Sequence, residues 1–511
     1  MSRLGTKALG DIWARCSGPG FLLLLLAAAL LFNGTRGLWA PDEGRYVAGA
    51  LEMLRRHDFV GIFLNDDTSH FAKPPMTYWA LAAALKAFGQ SEFVARLPNA
   101  LALVAAAGLL LPAGRLLTPR VPALPMILYS TLWLPFLGAG FVTTDTIGTM
   151  FTTLAGVGFL YLEAGIAPRR AAIAMWVGFG LAFLTKGPPM MLALPVFIGW
   201  LAWRRNWAAL REMFLSFGVP LFAVIGLSWY LVAVHRFPGL LEYFIGAEVE
   251  GRLASPEFQR NSSWWGSLAV YAPTIVVGTL PWLPAWLAFA WRGAFAKPLA
   301  EPVDRLLLAW IGLPIVVFLL ARSRLPLYLL PLFAPFALWL ARRVEPVVAT
   351  MRPERAGLAM VAVFALLVGV KFGIAQLSPE GYDSRAAARQ VEKLAAGPID
   401  DVVYVDERAM WALRFYLGVQ VRESWARRTL DEPSYQPHRR LEEFLGPHES
   451  PPGRIFVVNG RSTSEFAAAL LAHGRCPVEL GGDEQVVIYR ARPSAAGTCT
   501  PRDGGGGTHG T

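Results

Sequence analysis

The feature that most constrains this chain is a series of apolar runs, each close to the thickness of a bilayer core, separated by loops in which arginine recurs. The runs lie at about 19–38, 97–114, 122–142, 146–162, 171–185, 188–203, 213–234, 268–291, 306–321, 325–341 and 357–376. A helix crosses hydrocarbon in about 20 apolar residues, and helix is what a lone apolar segment must form there, because its backbone polar groups have no water to bond. The pattern therefore predicts an α-helical polytopic membrane protein of about eleven spans, in a range of 11–13. Composition agrees: of 511 residues 54% are hydrophobic and only 16% charged, too much apolar surface for water alone.

The loops orient the bundle. With Arg3, Lys7 and Arg15 on the cytoplasmic side, alternate loops carry Arg115/Arg120, Arg169/Arg170, Arg204/Arg205/Arg211, Arg292/Lys297/Arg305 and Arg342/Arg343/Arg352/Arg355. Every inner loop is then basic, as membrane topology demands. The net charge of +10 is thereby explained without nucleic acid. The first run has a short apolar core, Phe21 to Phe32, but no small-x-small cleavage site follows it, so it reads as an uncleaved anchor. Outward loops fall at 39–96, Thr143–Asp145, Lys186, 235–267 and Arg322–Arg324, and an odd number of spans places the C-terminus outside as well.

Three domains are expected: a transmembrane domain at 1–376, a small soluble α/β domain at 378–492 and a glycine-rich flexible tail at 493–511. Within the loop 39–96, apolar residues at helical spacing predict interfacial helices over Asp42–Arg56 and Met76–Phe88. In the soluble domain Ser384–Ala395 and Glu465–Leu471 read as helices, and Val402–Val405, Ile455–Val458 and Gln485–Tyr489 as strands. The three cysteines make no CxxC pair, and a Cys476–Cys499 disulfide is open to the chain if that region lies outside the cytoplasm.

Once topology is set, Asp42, Glu43, Arg45, Lys73, Asp145, Lys186, Arg322 and Arg324 all fall on the outer side. Any one of them alone is as well explained by snorkelling or a helix-end ion pair, but their shared sidedness favours a site. Cations converging beside a membrane suit a phosphate head group, and an aspartate among them suits a general base or a holder of an acceptor hydroxyl. The same residue types also fit an anionic-lipid contact or a transporter vestibule. His57, His70 and His235 lack ligand spacing, so no metal is expected; Trp264, Trp265, Trp282, Trp286 and Trp291 read as an interfacial belt.

Six motifs then form an ordered series: Trp39-Ala-Pro-Asp-Glu-Gly-Arg-Tyr46, Phe71-Ala-Lys-Pro-Pro-Met-Thr-Tyr-Trp79, Phe93-Val-Ala-Arg-Leu-Pro98, Thr144-Asp145, Thr185-Lys-Gly187 and Arg324-Leu-Pro-Leu-Tyr-Leu-Leu-Pro331. Over residues 20–345 the series resembles the aminoarabinose-transferase branch of the protein-O-mannosyltransferase-like enzymes. The resemblance implies a C-type glycosyltransferase fold with a periplasmic C-terminal domain in the bacterial inner membrane, and an undecaprenyl (polyprenyl) phosphate-linked sugar as donor. It implies Asp42 as the catalytic position, with Arg45, Lys73, Lys186 and Arg324 on the donor phosphate and Glu43, Asp145 and Tyr328 elsewhere in the cavity. The acceptor it implies is lipid A or another envelope glycolipid.

The chain departs from that pattern at two points. Relatives usually read Phe-Glu-Lys-Pro where this chain has Phe71-Ala72-Lys73-Pro74, and often Glu-His where it has Glu248-Val249. Loss of both groups removes a carboxylate-imidazole pair, so no metal or cofactor is expected; the transfer itself is expected to be in line and inverting. A protein Ser/Thr acceptor is the alternative within the class. A non-catalytic lipid-linked sugar transporter is disfavoured because the middles of the spans are nearly free of charge.

Overall fold

The computed structural model describes residues 18, 20–246, 263, 265–291, 301–321, 323–379, 381–426, 435, 439–446, 451–493 and 499. Glu248, Val249, Trp264, Arg322 and the glycine-rich end lie outside the described residues. The chain divides into two compact units: Met1–Gly37 with Gly49–Phe63 and Ser69–Ser378, and Leu38–Ala48 with Leu64–Thr68 and Pro379–Thr511. Two short pieces of the loop 39–96 thus belong with the C-terminal region.

In the first unit helix occupies part or all of every apolar run. Among the described residues five helical stretches are long and apolar enough to cross a membrane: Glu92–Leu117, Gly218–Arg236, Pro302–Leu320, Pro326–Val348 and Pro353–Ala375. Thr144–Glu163 and Pro168–Lys186 have the length, 20 and 19 residues, but the first is diluted by threonine and glycine and the second by the charges at its ends, Arg169, Arg170 and Lys186. Their mutual contact is close. A Cβ on Gly178 would stand 2.6 Å from Ala155 N and 2.8 Å from Phe151 O, so only hydrogen lets the two backbones approach.

Several runs are less regular than their hydropathy predicts. The first is helical only over Gly20–Leu30, 122–142 splits into Leu124–Thr131 and Trp133–Gly138, and 268–291 splits into Gly266–Gly278 and Leu283–Trp291. Hydropathy cannot register such breaks, because a broken helix is as apolar as a continuous one. What allows them is that freed backbone groups meet: Trp133 N, at one break, donates to Leu280 O at another, 2.9 Å away.

Buried cations serve other breaks. Arg96 is fully buried, and its guanidinium donates to Asn33 O at 2.6 Å, Arg36 O at 3.1 Å and Gly37 O at 2.7 Å, just past the first helix. Arg36 donates to Gly140 O at 2.9 Å. Lys371, buried within Pro353–Ala375, donates to Ala28 O and Ala29 O, the open carbonyl end of Gly20–Leu30. Outside the spans, burial pushes the Asp58 carboxyl up, but the Gly61 and Val60 amides and Arg236 outweigh it and hold the group below its ordinary value.

The second unit is built on a five-stranded sheet, β1 (Asp401–Val405), β2 (Gln420–Ser424), β3 (Ile455–Asn459), β4 (Arg475–Gly482) and β5 (Val486–Pro493), ordered β2-β1-β3-β5-β4. β1 pairs in parallel with β2 and β3; β5 pairs antiparallel with β3 and β4. Alternate residues of β1 go to opposite faces: Val402 and Tyr404 pack with Ala388 and Val391 of the helix Ser384–Ala395, while Val403 and Val405 pack with Phe444, Phe466 and Leu470. Edge strands β2 and β4 are too polar to read from sequence, and β4 also contains Pro477. Cys476 of β4 is disulfide-bonded to Cys499 with Cα atoms 5.6 Å apart.

The glycine contact generates a paired expectation. Gly178→Ala should lower the thermal midpoint of the detergent-purified protein, by the equivalent of about 1–3 kcal/mol of overpacking. Gly199→Ala, where a Cβ meets nothing within 4 Å, should leave the midpoint unchanged or raise it.

Candidate active site

The polar residues of the first unit gather where helices end. Thr144–Glu163 and Pro168–Lys186 form an antiparallel hairpin, so the first turn of one and the last turn of the other share an end. Asp145 sits in that first turn and Lys186 closes the last, each charge matched to its helix dipole. Gly187, at φ 76°, then turns the chain into Pro188–Met191. The approach to Asp145 is fixed by Asn99, whose buried amide donates to Phe141 O at 2.7 Å and Thr143 O at 3.1 Å.

Lys186 Nζ and Asp145 Oδ1 form an ion pair, their side chains only 9% and 10% exposed. The ammonium also lies 4.2 Å from the centroid of the Tyr328 ring, a cation–π contact worth about 2 kcal/mol where water is excluded. Tyr328 comes from the 3-10 segment Pro326–Leu332, in whose approach Arg324 is buried and donates Nη1–H to Ser263 O at 2.9 Å. Lys186 thus carries a carboxylate partner and a ring, and its charge is largely offset before any ligand arrives.

Lys73 lies in the turn Phe71–Pro75 that opens the helix Met76–Phe88, and its ammonium donates to Ala72 O at 2.9 Å. Pro74 and Pro75 end any preceding helix and set the start of the next. Phe71 is wedged among aromatic rings, 4.9 Å from Phe237 and 6.4 Å from Trp229, and the Trp229 indole donates to Val60 O at 3.0 Å. The turn carrying Lys73 is therefore held by packing.

Asp42, Glu43 and Arg45 belong to the second unit. They open the helix Asp42–Arg56, with both acids in the first turn, the favoured end for negative charge. Glu43 is buried and accepts from Trp39 N at 2.9 Å, which closes the turn before the helix. Asp42 is 48% exposed and pairs with Arg45 at 3.1 Å. Gly44 is required between them, because a Cβ there would lie 2.8 Å from Ala412 N. Of two adjacent acids, one is thus committed to structure and the other presented to solvent.

Of the residues expected from sequence, the structure joins Asp145, Lys186 and Tyr328 directly, and Asp42 with Arg45. Asn99 and Tyr271, a buried tyrosine near Tyr328, are site features that sequence reading passes over. Asn99 carried a signal, an amide in an apolar run three residues after Arg96; Tyr271 carried none. Among the described residues no group of three or more His, Cys, Asp or Glu side chains is arranged to hold a metal.

A bundle of broken apolar helices with polar groups at the breaks, joined to a small α/β domain, defines a C-type glycosyltransferase fold. The structure is similar to crystalline ArnT from Cupriavidus metallidurans bound to undecaprenyl phosphate, with a TM-score of 0.74 at 22% identity, covering 92% of this chain and 97% of that one. Residues 72–231 match the dolichyl-phosphate-mannose-protein mannosyltransferase family. The undecaprenyl phosphate-alpha-4-amino-4-deoxy-L-arabinose arabinosyl transferase of Edwardsiella ictaluri is 33% identical over 321 residues, 61% of this chain and 56% of that protein. The enzyme of that name from Pseudomonas aeruginosa is 32% identical over 338 residues, 62% of this chain and 58% of that protein. The chain thus spans less than two thirds of the length of these curated relatives. It is aminoarabinose-transferase-like and a multi-pass integral membrane protein, which bears out the resemblance carried by its ordered motifs.

The buried ion pair generates a cycle of variants. Asp145→Ala or Lys186→Met strands a charge in a dry site and should each cost about 3–5 kcal/mol. The double variant Asp145→Ala/Lys186→Met should recover much of that loss in thermal unfolding. Additive losses would mean that the two side chains do not act as a pair.

Proposed function

We propose that this chain is a glycosyltransferase that moves a sugar from an undecaprenyl (polyprenyl) phosphate carrier to an envelope acceptor such as lipid A or another glycolipid, at the periplasmic face of the inner membrane. The observation that carries the reading is the charged, largely buried cluster at helix breaks in a fold similar to one crystallised with undecaprenyl phosphate. In this reading Lys73, Arg45 and Arg324 face the carrier phosphate. Lys186, already paired with Asp145, shapes the pocket and adds a partial charge.

The acceptor hydroxyl attacks the anomeric carbon in line, forming the new C–O bond as the bond to the carrier phosphate breaks and its electron pair leaves with the phosphate. The hydroxyl proton passes to Asp42, whose exposed carboxylate is the accessible acid of the Asp42-Glu43 pair. Negative charge grows on the phosphate as the bond breaks, so fixed cations bind the transition state more strongly than the ground state. A single in-line displacement inverts the anomeric centre, and because Ala72 and Val249 supply neither carboxylate nor imidazole, the transfer uses no metal or cofactor.

The match of residues 72–231 to protein mannosyltransferases favours a second reading, with a protein Ser or Thr hydroxyl as acceptor. Deleting the gene in its host and comparing lipid A, other envelope glycans and glycoproteins by mass spectrometry separates the two.

Three further outcomes are expected. Asp42→Asn should abolish transfer to a hydroxyl acceptor while leaving expression and carrier binding intact, and EDTA should leave the wild-type rate unchanged; wild-type turnover by Asp42→Asn removes the residue from the mechanism. The Cys476–Cys499 disulfide supports an oxidising, outer location for the C-terminal domain. A single cysteine at position 400 should accordingly react with an impermeant maleimide in cells whose outer membrane alone has been opened. Labelling that also requires inner-membrane permeabilisation would reverse the topology.

A further inference from the structure

Tyr271 lies on the helix Gly266–Gly278 and is 3% exposed, yet among the described residues its buried phenolic oxygen has no hydrogen-bond partner. Buried tyrosine hydroxyls ordinarily find a carbonyl or side-chain partner, since water is absent and an unmade bond is costly. The group is also well fixed. Ser267, one turn earlier, donates to Leu319 O at 2.9 Å, tying this helix to the end of Pro302–Leu320 just before the Arg324 segment. The Tyr271 ring lies 6.4 Å from Phe318, which lies 6.2 Å from Tyr328, the ring under the Lys186 ammonium. Tyr271 is near enough to Arg324 and Tyr328 for electrostatic interaction with both. A buried hydroxyl donor with no acceptor among the described residues, within electrostatic range of the Arg324 guanidinium, suits an anionic oxygen.

We propose that Tyr271 is a donor-contacting residue: its O–H donates to an oxygen of the carrier phosphate, on the side of the pocket formed by Arg324 and Tyr328. The inference rests on the polyprenyl-phosphate reading and adds to it a neutral donor beside the cations. As the glycosidic bond breaks and charge accumulates on the phosphate, this hydrogen bond strengthens, so its loss weakens both carrier binding and turnover.

The test is Tyr271→Phe in the full-length protein purified in detergent, which removes one oxygen and keeps the ring. Undecaprenyl phosphate and neutral undecaprenol are titrated separately, and thermal midpoints are recorded with and without each. The variant without ligand should unfold at the wild-type midpoint or above it, since an unsatisfied buried hydroxyl has been removed. Its Kd for undecaprenyl phosphate should rise about 10-fold or more, the scale of a hydrogen bond to a charged group, with undecaprenol binding unchanged. An unchanged Kd for the phosphate overturns the inference, as does an equal loss for undecaprenol, which would place the hydroxyl on the tail. A lowered midpoint without ligand and an undiminished phosphate-induced shift would make the role structural and overturn it too. If wild-type protein itself fails to bind undecaprenyl phosphate, the donor reading falls, and the Tyr271 inference falls with it.

Discussion

Hydrocarbon leaves no backbone polar group unbonded without a large cost, and most of this structure follows from how the chain meets that demand. Continuous helix meets it wherever the run is uninterrupted. Where the chain breaks, partners are supplied from elsewhere: Trp133 N reaches Leu280 O, Arg96 gathers the carbonyls of Asn33, Arg36 and Gly37, and Lys371 closes the end of Gly20–Leu30. Each break is also a place where a side chain can leave the helical register. The candidate site residues Asp145, Lys186 and Tyr328 occur at such places.

The ion pair at the hairpin end shows how structure and chemistry share residues. Asp145 and Lys186 are 41 residues apart in sequence, but the short connection between their helices returns the chain to the same level of the bundle. Pairing offsets the cost of burying the lysine, and the Tyr328 face completes its surroundings. The proposed phosphate ligand is therefore received by a pocket already organised, in which Arg324 and Tyr271 are fixed by contacts to Ser263 and through Ser267. Pre-organisation of this kind is where electrostatic catalysis draws its advantage.

The loop 39–96 is divided between two units. Leu38–Ala48 and Leu64–Thr68 belong with the C-terminal domain, through contacts such as Asn65 Nδ2 to Val421 O at 2.7 Å and Leu38 N to the Tyr416 hydroxyl at 2.8 Å. The helix opening that carries Asp42 is thus shaped by residues more than 300 positions away, including the backbone of Ala412 against Gly44. The C-terminal domain has a stake in the proposed catalytic loop that its own sequence does not reveal.

What the sequence determined by itself was whatever periodicity and composition encode. The apolar runs, the helices Asp42–Arg56, Met76–Phe88 and Ser384–Ala395 and the buried strands β1 and β3 were legible because burial on one or all faces imposes a local pattern. The site residues were legible as types in ordered motifs. Tertiary structure alone decided which of them meet: that Lys186 is spent on Asp145 and Tyr328, that Glu43 closes a turn while Asp42 is half-exposed, and that the Tyr271 hydroxyl has no partner among the described residues. It also decided the helix breaks and the edge strands β2 and β4. The physical reason is the same throughout, since a side chain's partner is set by the path of the whole backbone, and neither a broken apolar helix nor a polar edge strand leaves a periodic trace in its own residues.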